Sequence, residues 1–523
     1  MHRLLLSAAA LSLIAAPAYA QNERAPAGSG VVPAEVANTR ERPIRFATSV
    51  PAGGVLAVPM AGAGDLSRVP ASARDAVQRA VAAAGFEGGA GDMLDLYGVG
   101  GYDRLMLVGT DEGQLGATQL ADIGGRIAQG LREVEAPIAI VATGLSASVP
   151  DAAAHLARGF GLGDWRFDRL KTAERGLSAA QPVTIVAESG AAEAFQRGHV
   201  GQVDGMRLAR DLITLPSNLK YPESFVAQAR AAFDGVPNTR VTVLNERQMR
   251  ELGMGALLSV AQGSQRPARL MVVEYRGGDD AAPLALVGKG ITFDTGGISL
   301  KDAAGMEAMR GDMAGAAAVM GATLAAAKRG ARTNVVALAA LAENMPGANA
   351  QRPGDVVRTM TGQTVEVINT DAEGRLVMSD ANQYAISRYR PAALVNLATL
   401  TGAIVTALGD DYAGLFARDE ALAQRIQQAA EQSGDPVWRM PLHPSYGEDL
   451  ASPIADIANV VRTPGAGAGR AAYFIHYLTP EPTPWASIDM AGMDSTTATA
   501  TTPEGAPGFG VRLFDELIRS FER

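Results

Sequence analysis

Short apolar runs alternate with alanine-rich segments along most of this 523-residue chain. Runs such as 138–141 and 284–287 have the length and composition of buried strands, and segments such as 73–84 have the composition of helices. Strands that alternate with helices are typical of a parallel sheet covered by helices, and a chain this long exceeds one ordinary hydrophobic core. We therefore predict two α/β domains, of which the larger C-terminal one has a mainly parallel, buried sheet flanked by helices.

The first twenty residues have the pattern of a segment that is cleaved off to give the mature protein. Arg3 gives a positive start, residues 4–16 are apolar, and Ala18-Tyr19-Ala20 matches a cleavage signal of small residues. The chain has no cysteine, so disulfides, a lipid-modified cysteine and a thiol nucleophile are excluded. We predict a signal peptide at 1–20 and export to the periplasm or beyond in a bacterium.

Composition shifts give the remaining boundaries. Residues 21–42 are rich in alanine, glycine and proline and are predicted to be a flexible lead. We predict an N-terminal α/β domain at 43–190, a connecting helix at 191–209 and a second domain at 210–523. The strand-like runs of the N-terminal domain carry no glycine spacing typical of phosphate binding, so we assign it no chemistry.

Charge and hydropathy limit the kinds of binding partner that the protein can have. The net charge of −9 argues against nucleic acid, because binding phosphates requires a basic face. After the first twenty residues, no run is long and apolar enough to span a bilayer. We expect the mature protein to be soluble and to bind neither nucleic acid nor membrane.

The octet Asn369-Thr370-Asp371-Ala372-Glu373-Gly374-Arg375-Leu376 places two carboxylates and a guanidinium directly after a run rich in β-branched residues, 364–368. The pattern predicts a strand, a sharp loop and a helix, and ligands of such units gather beyond the strand's carboxyl end. In isolation, these residues would be read as a solvated acidic turn paired with an arginine.

A second stretch changes that interpretation. A buried-strand pattern at 284–290 includes Lys289 and leads into Asp294, two glycines and Lys301. Asp312 follows at the start of an alanine-rich helix. With the octet, these segments supply four acids, two lysines and an arginine.

The residues that are missing narrow the chemistry further. All five histidines lie outside the two acid-bearing stretches, so a His-x-x-x-His zinc site and a local Ser-His-Asp site are excluded. Several carboxylates cannot share a desolvated pocket at neutral pH unless protons or cations neutralise them. We therefore predict divalent metal ions, and four acids suffice for a pair bridged by shared carboxylates. Hard oxygen ligands suit Mg, Mn and Zn alike.

These stretches resemble those of the leucine (cytosol) aminopeptidase family, and the resemblance extends from about residue 205 to the C-terminus. The segments that carry it, in the family's order, are 287–297, 309–316, 369–376, 398–403, 485–492 and 508–513. The resemblance implies that 210–523 is a metallo-aminopeptidase domain. It also implies two divalent ions per subunit, with Mn or Zn expected before Mg, and a metal-bridged water as the nucleophile.

The resemblance also implies a ligand set. One metal would be held by Lys289, Asp294, Asp312 and Glu373, and the other by Asp294, Asp371 and Glu373. Asp312 and its metal would receive the free α-amino group of the substrate, which would make the enzyme an exopeptidase.

Two further basic residues receive catalytic roles from the same resemblance. Lys301 would polarise the scissile carbonyl, and Arg375 would hold a bicarbonate ion that acts as a proton shuttle. On physical grounds, Lys289 can ligate a metal only when neutral, whereas Lys301 must stay charged to stabilise an oxyanion.

The pocket for the first side chain of the substrate is placed by resemblance at Met309, Thr399, Leu400 and Ala491, with Met493 close by. A methionine-lined pocket favours Leu-like or Met-like side chains, although core packing explains the same residues equally well. The family's hexameric assembly implies a homohexamer here, which would restrict substrates to short peptides.

Two alternatives remain open at this point. The first is a family member without catalytic activity that acts as a binding scaffold. The second is a phosphoesterase that uses the same pair of metals. The glycine-rich loop at 464–469 is expected to border the site, and it lacks the Gly-Lys-Ser/Thr ending of a phosphate cradle.

Overall fold

The computed structural model describes residues 41–111, 113–171, 181–461, 463–493 and 497–522. The predicted signal peptide and all but the last two residues of the predicted lead lie outside the described residues. Among the helices that are described, none is long and apolar enough to cross a membrane.

The N-terminal domain is built on a six-stranded sheet. Its strands are β1 Ile44–Ala47, β2 Val55–Met60, β3 Met93–Val99, β4 Tyr102–Gly109, β5 Ile138–Val141 and β6 Val183–Val186. Its helices are α1 Arg74–Ala84, α2 Ala117–Gly130, α3 Ala152–Gly163 and α4 Ala191–Gly198. The strand order is β1-β6-β5-β2-β4-β3, and only β3 runs antiparallel to its neighbour.

The apolar runs found in the sequence form the centre of this sheet. All the residues of β2 and β5 are buried, as expected for parallel strands covered on both faces. Helix α1 ends at Gly85, whose φ of 63° is the left-handed conformation that glycine adopts at helix ends. The predicted α/β class of this domain is confirmed.

The segment between the domains differs from the single helix expected at 191–209. Helix α4 stops at Gly198, and α5 Val200–Thr214 follows after His199, whose backbone is not helical. Helix α5 continues beyond 209 because Leu212 and Ile213 are buried. It ends just before Leu215, which has the extended ψ of 131° that a following proline imposes.

The C-terminal domain contains the remaining strands and helices. The strands are β7 Thr239–Leu244, β8 Arg269–Arg276, β9 Leu284–Asp294, β10 Asn334–Asn344, β11 Val356–Arg358, β12 Thr364–Glu366, β13 Ala393–Ala398, β14 Ala413–Ala417, β15 Val437–Arg439, β16 Ile457–Ala458 and β17 Trp485–Asp489. The helices after α5 are α6 Pro222–Ala232, α7 Glu246–Glu251, α8 Gly255–Ala261, α9 Ala314–Lys328, α10 Gly374–Tyr389, α11 Gly402–Leu408, α12 Glu420–Ser433, α13 Ser445–Asp449, α14 Gly467–Tyr477 and α15 Val511–Arg519, with short 3-10 helices at Met306–Gly311 and Ala491–Met493.

The large sheet has the order β15-β14-β17-β13-β9-β10-β8-β7. Its centre, β17-β13-β9-β10, is parallel, and β14 runs parallel to β15. The pairs β14/β17, β10/β8 and β8/β7 are antiparallel. The predicted mainly parallel sheet is therefore a mixed sheet with a parallel centre. An apolar run predicts burial but does not encode the direction of the strand.

Helix α9 lies against this centre and fixes where Asp312 stands. Its alanines and glycines are buried on every side, and it contacts α5 on one face and β9 on the other. At the crossing with α5, a Cβ added to Gly205 would lie 2.1 Å from the carbonyl oxygen of Gly321. Small side chains therefore allow this helix to pack closely, and its first turn follows Asp312 at the edge of the sheet.

The strand before the octet has an unexpected position. The strand, loop and helix expected there are present as β12, residues 367–373 and α10. However, β12 pairs with β11 and β16 in a separate three-stranded sheet and not with the large sheet. The octet reaches the large sheet through its loop, which lies beside the end of β9.

Candidate metal centre

Two loops carry most of the acids and are hydrogen-bonded to each other. The Thr370 hydroxyl donates to the carbonyl oxygen of Gly296 at 2.6 Å and accepts the amide of Ser299 at 2.8 Å. The hydroxyl of Ser299 accepts the amide of Thr370 at 3.1 Å. Gly296 and Gly297 have φ values of 86° and 68°, which glycine adopts without strain. The loop after β9 can thus turn sharply and place Asp294 next to Asp371.

The first lysine of the site lies between two acids. The Nζ of Lys289, within β9, is 2.8 Å from Asp312 Oδ1 and 2.8 Å from Glu373 Oε1. It also donates to the carbonyl oxygen of Thr399 at 2.9 Å, and the Thr399 hydroxyl donates to Asp312 Oδ1 at 2.7 Å. Lys289 and Glu373 are almost fully buried. Four segments distant in sequence therefore meet at one ammonium group.

The second lysine lies between the other two acids. The Nζ of Lys301 is 2.9 Å from Asp294 Oδ2 and 2.5 Å from Asp371 Oδ1. The other oxygen of Asp294 accepts the side-chain amide of Asn344 at 2.7 Å and the backbone amide of Gly296 at 2.9 Å. Lys301 is the more exposed lysine, with 24% of its side chain accessible.

The electrostatics of the cluster favour added positive charge. Burial and the neighbouring Glu373 raise the pKa of Asp294 to about 6, although both lysines act in the opposite direction. Burial also raises the pKa of Asp312 well above its usual range. Burial alone would lower the pKa of Lys289, but the adjacent Asp312 and Glu373 outweigh it and raise the pKa above its usual value. Four carboxylates against two ammonium groups leave an excess of negative charge, which protons or metal ions must balance.

The donor set fits divalent metal ions. Oxygens of Asp294, Asp371 and Glu373 lie within 4.8 Å of one another. Asp312 Oδ2 and Glu373 Oε2 are buried and have no hydrogen-bond partner among the described residues. A buried carboxylate oxygen without a partner is energetically costly, and coordination to a cation removes that cost. The residues present can therefore hold metal through oxygens that the protein leaves without partners.

Arg375 lies beside this cluster on α10. Its Nη1 donates to the carbonyl oxygen of Asn459 at 2.6 Å, and its buried Nε has no hydrogen-bond partner in the part of the chain that the structure describes. Burial lowers the pKa of Arg375 to about 10, so the group remains a cation at neutral pH. A buried guanidinium with a free donor is suited to binding an anion.

A cavity of about 760 Å³ opens over the cluster. The residues predicted from sequence that line it are Lys289, Asp294, Lys301, Met309, Asp312, Asp371, Arg375, Thr399, Leu400 and Ala491. Glu373 lies beneath the surface of the cavity, where it holds Lys289. Met493, which was expected close to the pocket, is buried and borders a different cavity, between the two domains, so for this residue the alternative of core packing fits better. Met493 is the buried last residue of the short 3-10 helix Ala491–Met493, and the spacing of residues did not show that this helix directs it to the other cavity.

Three polar residues that position the site were not assigned from sequence. Asn344 ends β10 and also donates to the carbonyl oxygen of Thr370 at 3.1 Å. The side chain of Asn459 accepts a hydrogen bond from the amide of Ile368 and donates one to the carbonyl oxygen of Asn369, so it fixes the start of the octet loop. Each follows or ends a strand, but an asparagine there is also common in ordinary turns.

Asp489, at the end of β17, is the third of these residues. Its carboxylate accepts the amide of Leu400 at 3.0 Å and the hydroxyl of Thr401 at 2.7 Å, so it fixes the loop that carries Thr399. Burial raises the pKa of Asp489 to about 6, although these hydrogen bonds act to lower it. Its place at the end of a buried strand was the available signal.

We expect Gly374→Ala to weaken metal binding. A Cβ added at Gly374 would lie 2.7 Å from both Cδ and Cε of Lys289, so Lys289 must move away from Asp312 and Glu373. Titration with Mn²⁺ followed by calorimetry would measure the loss, which we expect to be about 10- to 100-fold in affinity, as for changes that misorient metal ligands.

Gly402→Ala is the matched control. Gly402 is the first residue of α11, as Gly374 is of α10, and no atom lies within 4 Å of its added Cβ among the described residues. Its Mn²⁺ affinity should equal that of the unmodified protein. Equal affinity in Gly374→Ala as well would show that Lys289 does not help to hold the metal.

Fold and site together define a two-domain α/β metallohydrolase. Comparison with models of protein families agrees: residues 207–514 match the catalytic domain of the cytosol aminopeptidase family, and residues 58–174 match its N-terminal domain. The chain belongs to the cytosol aminopeptidase family and is a metal-dependent aminopeptidase, a hydrolase that removes N-terminal residues from peptides.

Individual relatives span nearly the whole chain. A probable cytosol aminopeptidase of Bradyrhizobium sp. is 44% identical over 85% of this chain and 90% of its own length. A probable cytosol aminopeptidase of Rhizobium rhizogenes is 44% identical over 91% of this chain and 98% of its own length. Among solved structures, a mutant of tomato leucine aminopeptidase has a TM-score of 0.79 at 29% identity, covering 93% of this chain and 98% of its own. The bottromycin maturation enzyme BotP in complex with Mn has a TM-score of 0.77 at 30% identity, covering 90% and 99%.

Proposed function

We propose that this protein removes the first residue of short peptides, with a preference for Leu-like or Met-like side chains, at a centre of two divalent ions. The observation that carries the proposal is the meeting of three carboxylates and two lysines on one wall of a large cavity, with the carboxylate of Glu373 directly beneath that wall. Mn or Zn are the ions we propose first, and BotP, a structural neighbour, is described in complex with Mn.

In the proposed arrangement, one ion would be held by Lys289, Asp294, Asp312 and Glu373, and the other by Asp294, Asp371 and Glu373. When bound, such a pair polarises a carbonyl and acidifies a water molecule, which supplies the nucleophile. The protein orients both ligand groups before any ion arrives, because the Thr370 and Ser299 hydrogen bonds fix the two loops. Asp312 lines the cavity, which supports the proposal that it receives the free amino group of the substrate.

The two basic residues that line the cavity have different tasks in this proposal. Burial works against the charge on Lys301, but Asp294 and Asp371 raise its pKa above the usual value, so it stays an ammonium group throughout the working range. It can therefore stabilise negative charge on the scissile carbonyl oxygen. Arg375 has an Nε donor without a partner among the described residues, which supports the proposal that it holds a bicarbonate ion, and this ion would accept and return protons. Among the described histidines, none lines the cavity, so the described residues offer no imidazole there for that task.

Side-chain preference rests on the apolar part of the cavity wall. Met309 and Leu400 line it together with Ala491, and an unbranched thioether adapts to linear and γ-branched side chains. A comparison of Leu-, Met-, Val- and Asp-p-nitroanilides would test the preference, and faster hydrolysis of the Val or Asp substrate would contradict it.

The direct test of function uses leucine p-nitroanilide with the mature protein stripped of metal. Activity should return on addition of Mn, Zn or Mg, and N-acetylation of the substrate should abolish it, because an acetylated amine cannot bind at Asp312. Metal binding without hydrolysis of any aminoacyl substrate would contradict the proposal.

Metal affinity should rise with pH. Lys289 ligates only as a neutral amine, and its raised pKa keeps it protonated in the metal-free protein, so binding at that site displaces a proton. The apparent dissociation constant should therefore fall by at least about tenfold per pH unit, and more steeply wherever Asp312 or Asp294 must also lose a proton, because burial raises the pKa of both carboxyl groups. Calorimetry in buffers of different ionisation enthalpy would count the protons released. Lys289→Met should remove about one of them, and an unchanged count would exclude Lys289 as a ligand.

We also propose that the mature protein begins at Gln21 after export, and that it forms a homohexamer. The match of 1–20 to a signal peptide supports the first statement, and family membership supports the second. N-terminal sequencing of protein recovered from the periplasm or medium tests the first. Equilibrium sedimentation tests the second, and a monomer would contradict it.

A further inference from the structure

Arg470 is the fourth cationic side chain that lines the cavity, after Lys289, Lys301 and Arg375. It lies on a different wall from the acid cluster. Arg470 is the fourth residue of α14, and this wall consists of the loop 463–467 and the first turns of α11 and α14. Gly465 lies directly against its guanidinium, since an added Cβ would be 2.5 Å from Nη2. The glycine-rich loop therefore lets this charged group reach the surface of the cavity.

The guanidinium of Arg470 is fixed in place by hydrogen bonds, but these do not use all of its N–H donors. Its Nε donates to Asp449 Oδ2 at 2.8 Å, its Nη2 lies 2.7 Å from the same oxygen, and its Nη1 donates to the carbonyl oxygen of Thr463 at 2.9 Å. Only 11% of the side chain is exposed. A guanidinium has five N–H donors, so these contacts leave two for a ligand. The positive end of the α14 dipole adds to the favourable environment for an anion.

Its relation to the acids distinguishes Arg470 from the other cations of the cavity. Lys289 contacts Asp312 and Glu373, and Lys301 contacts Asp294 and Asp371. Arg375 also interacts electrostatically with Glu373, whose negative charge acts to raise the pKa of the guanidinium. Among the described residues that line the cavity, Arg470 is the cation whose ion pair is with an acid outside it, Asp449. The cavity thus has one acidic wall that attracts an ammonium group and a second wall that offers a guanidinium.

We propose that Arg470 binds the C-terminal carboxylate of a peptide of two or three residues whose N-terminal ammonium group lies at the acid cluster. A carboxylate matches the planar donor geometry of a guanidinium, and the two walls match the opposite charges at the ends of a short peptide. The inference rests on the proposed function, because it takes the position of the amino end from it. Arg470 would then set preference for substrate length, and it would not take part in bond cleavage.

The test compares free acids with C-terminal amides. The substrates are Leu-Ala and Leu-Ala-Ala, each as acid and as amide, with the metal-loaded full-length mature enzyme. We expect kcat/KM for the acid to exceed that for the amide by about 10- to 100-fold at one of the two lengths, mainly through KM. In Arg470→Gln the ratio should fall to about one. The ratio is unaffected by a general loss of activity that acts on acid and amide alike.

Two further variants make the result specific. Arg352→Gln removes an arginine that also pairs with an aspartate, Asp355, but lies outside the cavity, and it should keep the ratio of the unmodified enzyme. Arg470→Lys keeps the charge without the bidentate geometry and should give an intermediate ratio, which provides the test if Arg470→Gln does not fold.

Each failure has a distinct meaning. A ratio near one in the unmodified enzyme, or an unchanged ratio in Arg470→Gln and Arg470→Lys, would overturn the inference while hydrolysis of leucine p-nitroanilide leaves the proposed function standing. A purely structural role, in which Arg470 only supports the loop at 463–467, would lower both rates and leave the ratio as it was. Absence of hydrolysis with every substrate would overturn the proposed function and this inference with it.

Discussion

Glu373→Gln should reduce kcat/KM by at least about 10³-fold and lower the number of metal ions bound per chain. Glu373 is almost fully buried, with one oxygen on Lys289 and the other without a partner among the described residues. The amide has the same shape but carries no charge and offers only one oxygen, so it cannot bridge two ions. Loss of several kcal/mol of charge stabilisation, at 1.36 kcal/mol per factor of ten, gives that lower bound.

Metal content and melting temperature separate the possible causes of that loss. The variant should stay folded, with fewer than two ions per chain by elemental analysis. Glu251→Gln, on the exposed surface of α7, is the control and should match the unmodified enzyme in both properties. Two ions per chain and activity within tenfold in Glu373→Gln would refute the assignment of Glu373 as a bridging ligand.

Lys301→Ala should reduce kcat by about 10²- to 10³-fold with little change in KM, because a charge that stabilises the oxyanion acts in the transition state and not on the bound substrate. Metal binding should not weaken, since the change removes a cation from Asp294 and Asp371 and frees their oxygens. Steady-state kinetics combined with Mn²⁺ titration would measure both effects.

Lys301→Arg tests whether charge alone suffices. The guanidinium keeps the positive charge but is larger and planar, so partial recovery of kcat is expected. An unchanged kcat/KM in Lys301→Ala would exclude the catalytic role. A loss of both metal binding and activity would instead make Lys301 a residue that supports the loop after β9.

The acids and lysines of the site could be predicted from sequence because each lies in a short stretch with its own pattern. Asp371, Glu373 and Arg375 share one octet, and Lys289 and Asp294 share one strand with its loop. The two α/β domains followed from the alternation of apolar runs with helical segments. These features are local, so a single sequence contains them.

The features that sequence did not reveal depend on tertiary partners. Strand β12 pairs with β11 and β16, and nothing within 364–368 indicates which sheet it joins. Asn344 and Asn459 act on the octet from segments distant in the chain. The break at His199 and the antiparallel flanks of the large sheet are likewise decided by what packs against them.

The pairing of each lysine with two acids also bears on how the enzyme acquires its metal. Lys289 and Lys301 serve as internal counter-ions that already balance half of the acid cluster. Each of the four carboxylates therefore already has a cationic partner within the protein that keeps it in position. Metal loading would then be an exchange of charge, in which Lys289 would give up a proton on becoming a ligand and Lys301 would share Asp294 and Asp371 with the incoming ion. The affinity measured for a metal ion would therefore be a net value, lower than the attraction of the four carboxylates alone, because the lysine contacts must be given up.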